Sequence, residues 1–233
     1  MRKWTSWLPA ARIVFFAGIV FGTPPGPLFA PPGGDLLTRL ARRTDLEDLS
    51  RHPLVVLDVR YATTNNFTGQ NLYGEFRACY LHKQAAKKFK RAAARLSRER
   101  PGWKLLIFDC LRPRSVQRRL WERVRGTPQQ GYVANPDRGS VHNYGFAVDL
   151  SLRDAEGREV DMGTPYDSFQ PLAQPRREKE FLASGRLTPT QIANRQLLRR
   201  VMTGAGFIQL PHEWWHYDAL PAAQVRRAFR IVE

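Results

Sequence analysis

The stretch Ser140–Leu152 constrains this chain more than any other. It places a metal-binding imidazole, His142, and a hard carboxylate, Asp149, on either side of a turn-prone segment that ends at Gly145, and an alternating apolar run then predicts a strand. Seven residues of extended chain would hold the two side chains about 23 Å apart. A shared metal ion therefore requires the chain to fold back, and glycine permits this because it adopts positive φ without steric cost.

A second stretch, Pro211–Tyr217, supplies what the first lacks. His216 offers a third metal ligand, and Glu213, three residues earlier, offers a carboxylate that is free to act as a base. Trp214 and Trp215 lie between them and would exclude water from a metal. The two stretches together predict a catalytic Zn²⁺ with three protein ligands and one open position.

The predicted set of ligands for one Zn²⁺ per chain is His142, Asp149 and His216. The fourth position is left for water, whose pKa the metal lowers to about 7, so that Glu213 can take its proton. An aspartate in place of a third histidine keeps the site closer to neutral, which suits an ion that polarises a carbonyl and then releases a carboxylate product. The other histidines are expected to be ordinary polar residues: His52, His82 and His212.

Residues 1–30 have the layout of a secretory signal peptide, with Arg2 and Lys3 before an apolar run, 13–22, and a proline-rich stretch after it. The run is shorter than the roughly 20 apolar residues of a transmembrane helix, so we expect no stable membrane insertion after processing. The alternative is an N-terminal arm that stays in place.

The remaining chain, 35–233, has ordinary globular composition and predicts one catalytic domain. A formal net charge of +16 can indicate a nucleic-acid partner or an anionic surface. The basic residues are scattered, without interleaved aromatics or a helix-turn-helix pattern, so we expect no nucleic-acid partner. The two cysteines, Cys79 and Cys110, exclude a cysteine-rich metal site; they form a disulfide if the chain is exported, or remain two buried thiols.

The pattern of apolar residues predicts an α+β fold, with a mainly antiparallel central sheet flanked by helices. Helices are predicted at 35–50, 82–98, 114–124 and from the Thr188–Gln191 capping box onward; strands are predicted at 54–60, 103–109, 146–152, 207–210 and 214–217. Arg112 follows a strand and precedes Pro113, which favours an extended backbone, so it is expected to point into a cleft rather than form a surface salt bridge. Polar loops at 61–69 and 161–169 are expected at the site.

Together these motifs resemble the zinc D-alanyl-D-alanine dipeptidases, the VanX-like branch of the zinc D,D-peptidase family (peptidase family M15), whose fold is hedgehog-like. The match rests on His142-x6-Asp149, with Ser140 two residues before it, and on the Glu213-Trp-Trp-His216-Tyr sequence. Further matches are the segment from Tyr61 to Gly69, Arg112-Pro113, and the segment from Met162 to Asp167.

The resemblance implies a zinc peptidase that hydrolyses D-Ala-D-Ala. His142, Asp149 and His216 match the zinc ligands, Glu213 the general base, and Arg112 the group that stabilises the oxyanion of the tetrahedral intermediate.

In the substrate site, Asp167 matches the carboxylate that holds the free amino group, and Ser140 matches a position near the carboxylate end. Cys110-Leu111 departs from the Gly-Tyr that more often precedes Arg-Pro in the family, which could alter the pocket. A signal peptide would place the enzyme in a bacterial periplasm, where salvage of D-alanine fits better than glycopeptide resistance; a retained segment would leave the enzyme in the cytoplasm.

Two other functions remain open from the sequence. A D,D-carboxypeptidase that trims peptidoglycan stems shares the same ligand plan but needs an open groove, whereas a dipeptidase needs a closed pocket with an ammonium anchor such as Asp167. A zinc-stabilised binding module without catalysis is disfavoured because Glu213 is present.

Overall fold

A five-stranded sheet carries the predicted site residues in the computed structural model, which describes residues 34–233. The predicted signal peptide, 1–30, lies outside the described residues. The strands run in the order β2 (Val55–Leu57), β4 (Lys104–Asp109), β5 (Ala147–Arg153), β7 (His216–Asp218), β6 (Ile208–Gln209). Only the β2–β4 pair is parallel. The prediction of a mainly antiparallel sheet in an α+β fold is confirmed.

The two longest strands, β4 and β5, are buried along almost their whole length on both faces. The apolar run of β4 is therefore continuous instead of alternating with polar residues, which is typical of strands covered on both sides. Between Ile107 and Asp109 the pairing of β4 with β5 shifts by one residue, so that Ile107 faces Leu150 while Asp109 faces Asp149. Such a bulge turns the Asp109 side chain to the same face of the sheet as Asp149.

Helices surround this sheet. They are α1 (Gly34–Ala41), α2 (Lys83–Glu99), α3 (Arg114–Val124), α4 (Glu178–Ala183), α5 (Pro189–Gly204) and α6 (Ala222–Ala228). The amphipathic α2 buries one stripe, as its sequence predicts: Ala85, Ala86, Phe89, Ala92, Ala93 and Leu96. The predicted capping box begins α5, where Thr188 and Gln191 exchange side-chain and backbone hydrogen bonds. Within 34–233 no helix has both the length and the apolar character needed to cross a bilayer.

The predicted helix over 35–50 is wrong beyond Ala41. Residues Leu46–Asp48 instead form a strand, β1, which pairs antiparallel with β3 (Tyr80–His82). A side-chain ion pair between Arg43 and Asp45 stands at the turn between helix and strand. Leu46 and Leu49 are buried as expected, but pairing with a distant strand outweighs the local helical pattern.

The two cysteines are joined. A disulfide links Cys79, just before β3, to Cys110, just after β4, with the two Cα atoms 5.2 Å apart. Of the two alternatives that the sequence left open, the structure contains the disulfide.

Candidate metal centre and active site

Three candidate ligand atoms from distant parts of the chain lie close together. Nε2 of His142 lies 3.2 Å from Oδ1 of Asp149 and 3.2 Å from Nδ1 of His216, and the last two atoms are 2.9 Å apart. All three residues are buried. Tetrahedral metal bonds of about 2.0–2.2 Å separate neighbouring ligand atoms by about 3.3–3.6 Å. Two imidazole nitrogens and one carboxylate oxygen at these spacings therefore fit a divalent metal ion.

The sheet register brings two of the ligands together. Asp149 on β5 lies directly opposite His216 on β7 on one side and opposite Asp109 on β4 on the other, so the three residues form one row across the sheet. Strand pairing thus brings Asp149 and His216 close together in space, although they are far apart in the sequence.

The third ligand comes from a turn. His142 lies in the 3-10 turn Val141–Tyr144, which ends at Gly145 with a φ of 72°. A Cβ there would come within 3.0 Å of the backbone nitrogen of His82, so both the conformation and the close approach require glycine. The sequence prediction that the chain reverses at Gly145 is confirmed.

Both histidine rings are held by hydrogen bonds from their far nitrogens. Nδ1 of His142 lies 2.7 Å from the carbonyl oxygen of Cys110, and Nε2 of His216 lies 2.9 Å from Oδ1 of Asp218. Such partners fix the tautomer and leave the other nitrogen free to bind a metal. Asp218 belongs to no motif of the sequence, although its position two residues after His216 on a strand places both side chains on one face.

The disulfide lies next to this support, because Cys110 supplies the carbonyl that orients His142. We expect non-reducing mass spectrometry to find a peptide linking Cys79 and Cys110, and reduction to weaken Zn²⁺ affinity by about 10-fold, the lower range for loss of such a partner. Zinc titration with and without reductant measures this, and a double Cys79→Ser/Cys110→Ser variant, which should not respond to reductant, is the control. Two alkylatable thiols in native protein would contradict the linkage.

Glu213 lies beside the ligands without joining them. Its Oε2 is 4.0 Å from Nδ1 of His216. Burial raises the pKa of Glu213 to about 7, with His216 lowering it and Asp149 raising it. A carboxyl group with a pKa near neutrality is suited to accept and return a proton.

Arg112 is buried against the metal centre rather than exposed in a surface salt bridge. Its Nε donates to Asp109 at 2.8 Å, its Nη1 donates to Gln117 at 2.9 Å, and its Nη2 lies 3.4 Å from Oδ2 of Asp149. Asp149 Oδ2 also accepts from the hydroxyl of Tyr166 at 3.0 Å. The guanidinium is thus fixed in orientation before any ligand arrives.

Asp167 is strained and incompletely paired. Its φ of 61° is the only positive value at a non-glycine position among the described residues. Oδ1 accepts from the hydroxyl of Tyr61 at 3.1 Å, but the buried Oδ2 has no hydrogen-bond partner. Burial raises the pKa of Asp167 well above its usual range, and the nearby Asp149 raises it further. Strain and an orphaned carboxylate oxygen are both typical of a ligand contact.

One cavity of about 190 Å³ unites the predicted site. Its wall contains all seven predicted site residues: His142, Asp149, His216, Glu213, Arg112, Asp167 and Ser140. Aromatic side chains complete the wall: Tyr61, Phe67, Tyr132, Phe169 and Trp215. Pockets for drug-sized ligands are larger, about 300–1,000 Å³, so this cavity suits a small molecule.

Known proteins match this chain over most of its length. The profile of the peptidase M15 family, described as D-ala-D-ala dipeptidase, matches residues 45–232. A D-alanyl-D-alanine dipeptidase of Escherichia coli (strain K12) is 35% identical over 183 residues, which is 77% of this chain and 87% of the relative. A protein of the same name from Streptomyces coelicolor is 33% identical over 181 residues, 69% of this chain and 83% of the relative. Another from Synechocystis is 27% identical over 237 residues, 85% of this chain and 88% of the relative.

The fold, the converging ligand atoms and the family match agree in the region 45–232. The chain belongs to the peptidase M15 family, in the group described as D-ala-D-ala dipeptidases.

Proposed function

We propose that this protein is a zinc-dependent dipeptidase that hydrolyses D-Ala-D-Ala to two molecules of D-alanine. Its relatives are named D-alanyl-D-alanine dipeptidases, which supports D-Ala-D-Ala as the substrate. The observation that carries the proposal is the unpartnered Oδ2 of Asp167 in the wall of a small cavity beside the metal ligands. A buried carboxylate without a partner is costly, and the free ammonium of a dipeptide would remove that cost.

The zinc would be held by His142, Asp149 and His216. When bound, it supplies Lewis-acid polarisation of the scissile carbonyl and acidifies a water molecule. The carboxylate of Glu213 takes a proton from the attacking water and then donates that proton to the leaving amine nitrogen.

Arg112 acts where negative charge develops on the carbonyl oxygen. Because its guanidinium is already held by Asp109 and Gln117, it needs little rearrangement when the tetrahedral intermediate forms. Its replacement should therefore lower kcat more than it raises KM.

Acetylation of the substrate's amino group tests the proposed ammonium anchor. N-acetyl-D-Ala-D-Ala lacks the positive charge and leaves the buried Asp167 without an opposite charge, a loss of about 4 kcal/mol. At about 1.4 kcal/mol per tenfold, kcat/KM should fall about a thousandfold relative to the free dipeptide. Initial rates with and without chelator, with L-Ala-L-Ala as a stereochemical control, measure this.

Asp167→Asn is the matched enzyme variant, because asparagine also tolerates a positive φ. It should lose most of the preference for the free dipeptide while keeping its fold. If the wild type cleaves acetylated or longer D-Ala-D-Ala peptides as fast as the free dipeptide, the dipeptidase assignment fails and a D,D-carboxypeptidase takes its place.

We also infer that the protein is exported and that it salvages D-alanine outside the cytoplasm. The disulfide supports this proposal, because disulfides persist mainly in oxidising compartments. Fractionation of cells that produce the full chain tests it: the protein should appear in the periplasmic fraction without residues 1–30. Full-length protein in the cytoplasm would refute it.

A further inference from the structure

The charged side chains of the cavity wall divide into those that contact an opposite charge or a histidine and those that contact neither. Excluding the histidines, the charged wall residues are Arg112, Asp149, Asp167, Glu213, Asp218 and Arg226. Arg112 pairs with Asp149 and Asp109, while Asp218, Asp149 and Glu213 all lie within 4.0 Å of a nitrogen of His216. Among residues 34–233, no opposite charge lies within ion-pair distance of Asp167 or Arg226. One anion and one cation of the wall are thus left for a ligand.

Arg226 is positioned but not neutralised. It lies on α6, which packs against the turn Val141–Tyr144 that carries the metal ligand His142. Its Nε and Nη2 both donate to the carbonyl oxygen of Gly139, at 3.2 and 3.1 Å. A carbonyl oxygen orients the guanidinium but carries no net charge, and Nη1 makes no hydrogen bond to any described residue. The planar guanidinium can therefore still bind a carboxylate.

The arrangement of the wall suits a zwitterion. Gly139, which holds Arg226, immediately precedes Ser140, whose side chain lines the same cavity. Arg112, the other arginine of the wall, is held by Asp109 and Gln117 beside Asp149 and has its proposed role at the scissile carbonyl, so the substrate carboxylate needs another cation. A free dipeptide carries one ammonium and one carboxylate, which matches the two unpaired charges of the wall in sign and number.

We propose that Arg226 binds the C-terminal carboxylate of the substrate and so makes the enzyme selective for dipeptides with a free carboxyl end. This inference rests on the proposed dipeptidase function and adds a residue to it. Asp167 holds the amino end and Arg226 holds the carboxyl end, so that the peptide bond between them is presented to the metal ligands and Glu213.

A substrate that lacks the terminal charge provides the test. Kinetics are measured with D-Ala-D-Ala and with its C-terminal amide for the wild type, Arg226→Gln and Arg226→Lys. The wild type should prefer the acid over the amide by about 10- to 100-fold in kcat/KM, the usual range for a hydrogen bond to a charged group. Arg226→Gln should lose this factor on the acid, mainly through a higher KM, and change little on the amide.

Arg226→Lys should recover part of the preference, because it restores the charge without the bidentate geometry. Arg227→Gln is the matched control, since Arg227 is the next residue on α6, is exposed and does not line the cavity. Its kinetics should equal those of the wild type on both substrates.

A merely structural role for Arg226, such as holding Gly139 in place, predicts equal losses on the acid and the amide. That result, or an Arg226→Gln variant as active as the wild type on D-Ala-D-Ala, would overturn the inference while leaving the dipeptidase assignment intact. A wild type that does not hydrolyse D-Ala-D-Ala would instead refute the proposed function, and the inference with it.

Discussion

A Glu213→Gln variant should bind its metal normally and lose about 100- to 10,000-fold in kcat. Glutamine keeps the size of the side chain but cannot take a proton from water. Glu213 lies 4.0 Å from Nδ1 of His216 and is not one of the three proposed ligands, so its replacement should leave those ligands in place. Metal analysis of the purified variant beside steady-state kinetics on D-Ala-D-Ala separates the two properties.

The matched control is Glu75→Gln, which changes an exposed glutamate outside the cavity wall and should leave kcat unchanged. If Glu213→Gln loses its metal together with its activity, Glu213 is a ligand rather than a base. If the variant keeps wild-type turnover, another group accepts the proton.

The second large effect is expected from loss of a ligand. His142→Ala or His216→Ala should reduce bound zinc from one ion per chain to near zero and abolish hydrolysis. Two remaining protein ligands bind Zn²⁺ too weakly to keep it in the site during an assay. Chelator treatment of the wild type should give the same inactive state, and added Zn²⁺ should restore the wild type but neither variant. Metal content and activity are measured on the same samples.

His52→Ala serves as the control for these variants, since His52 lies outside the cavity wall. It should retain one zinc ion and full activity. A His216→Ala protein with a full complement of zinc would remove His216 from the ligand set.

That the candidate site residues would meet in one place could be predicted from the sequence, because most of them belong to short, dense motifs. His142 and Asp149 lie seven residues apart, and Glu213 and His216 lie three apart, so local spacing carries most of the information. The structure brings all of these residues to one cavity. Their proposed chemical roles remain predictions that the variants above test.

Other parts of the site depend on contacts between distant residues, which spacing does not encode. Asp109 lies opposite Asp149 because the pairing of β4 with β5 contains a bulge, and Arg226 enters the cavity wall because α6 packs against the turn that carries His142. The wrong helix beyond Ala41 has the same origin, since β1 forms only in the presence of β3. Tertiary contacts determine these features, and the periodicity of apolar residues within a short stretch of sequence does not predict them.

The row formed by Asp109, Asp149 and His216 makes catalytic competence a measure of correct strand alignment. A slip of one residue in β7 would send its side chains, His216 among them, to the opposite face and break the row, although the chain would keep its composition and much of its sheet. Misaligned molecules would thus resemble the native protein by circular dichroism yet bind no metal. After refolding, the fraction of chains that take up one zinc ion should therefore equal the fraction in which β7 is in register with β5.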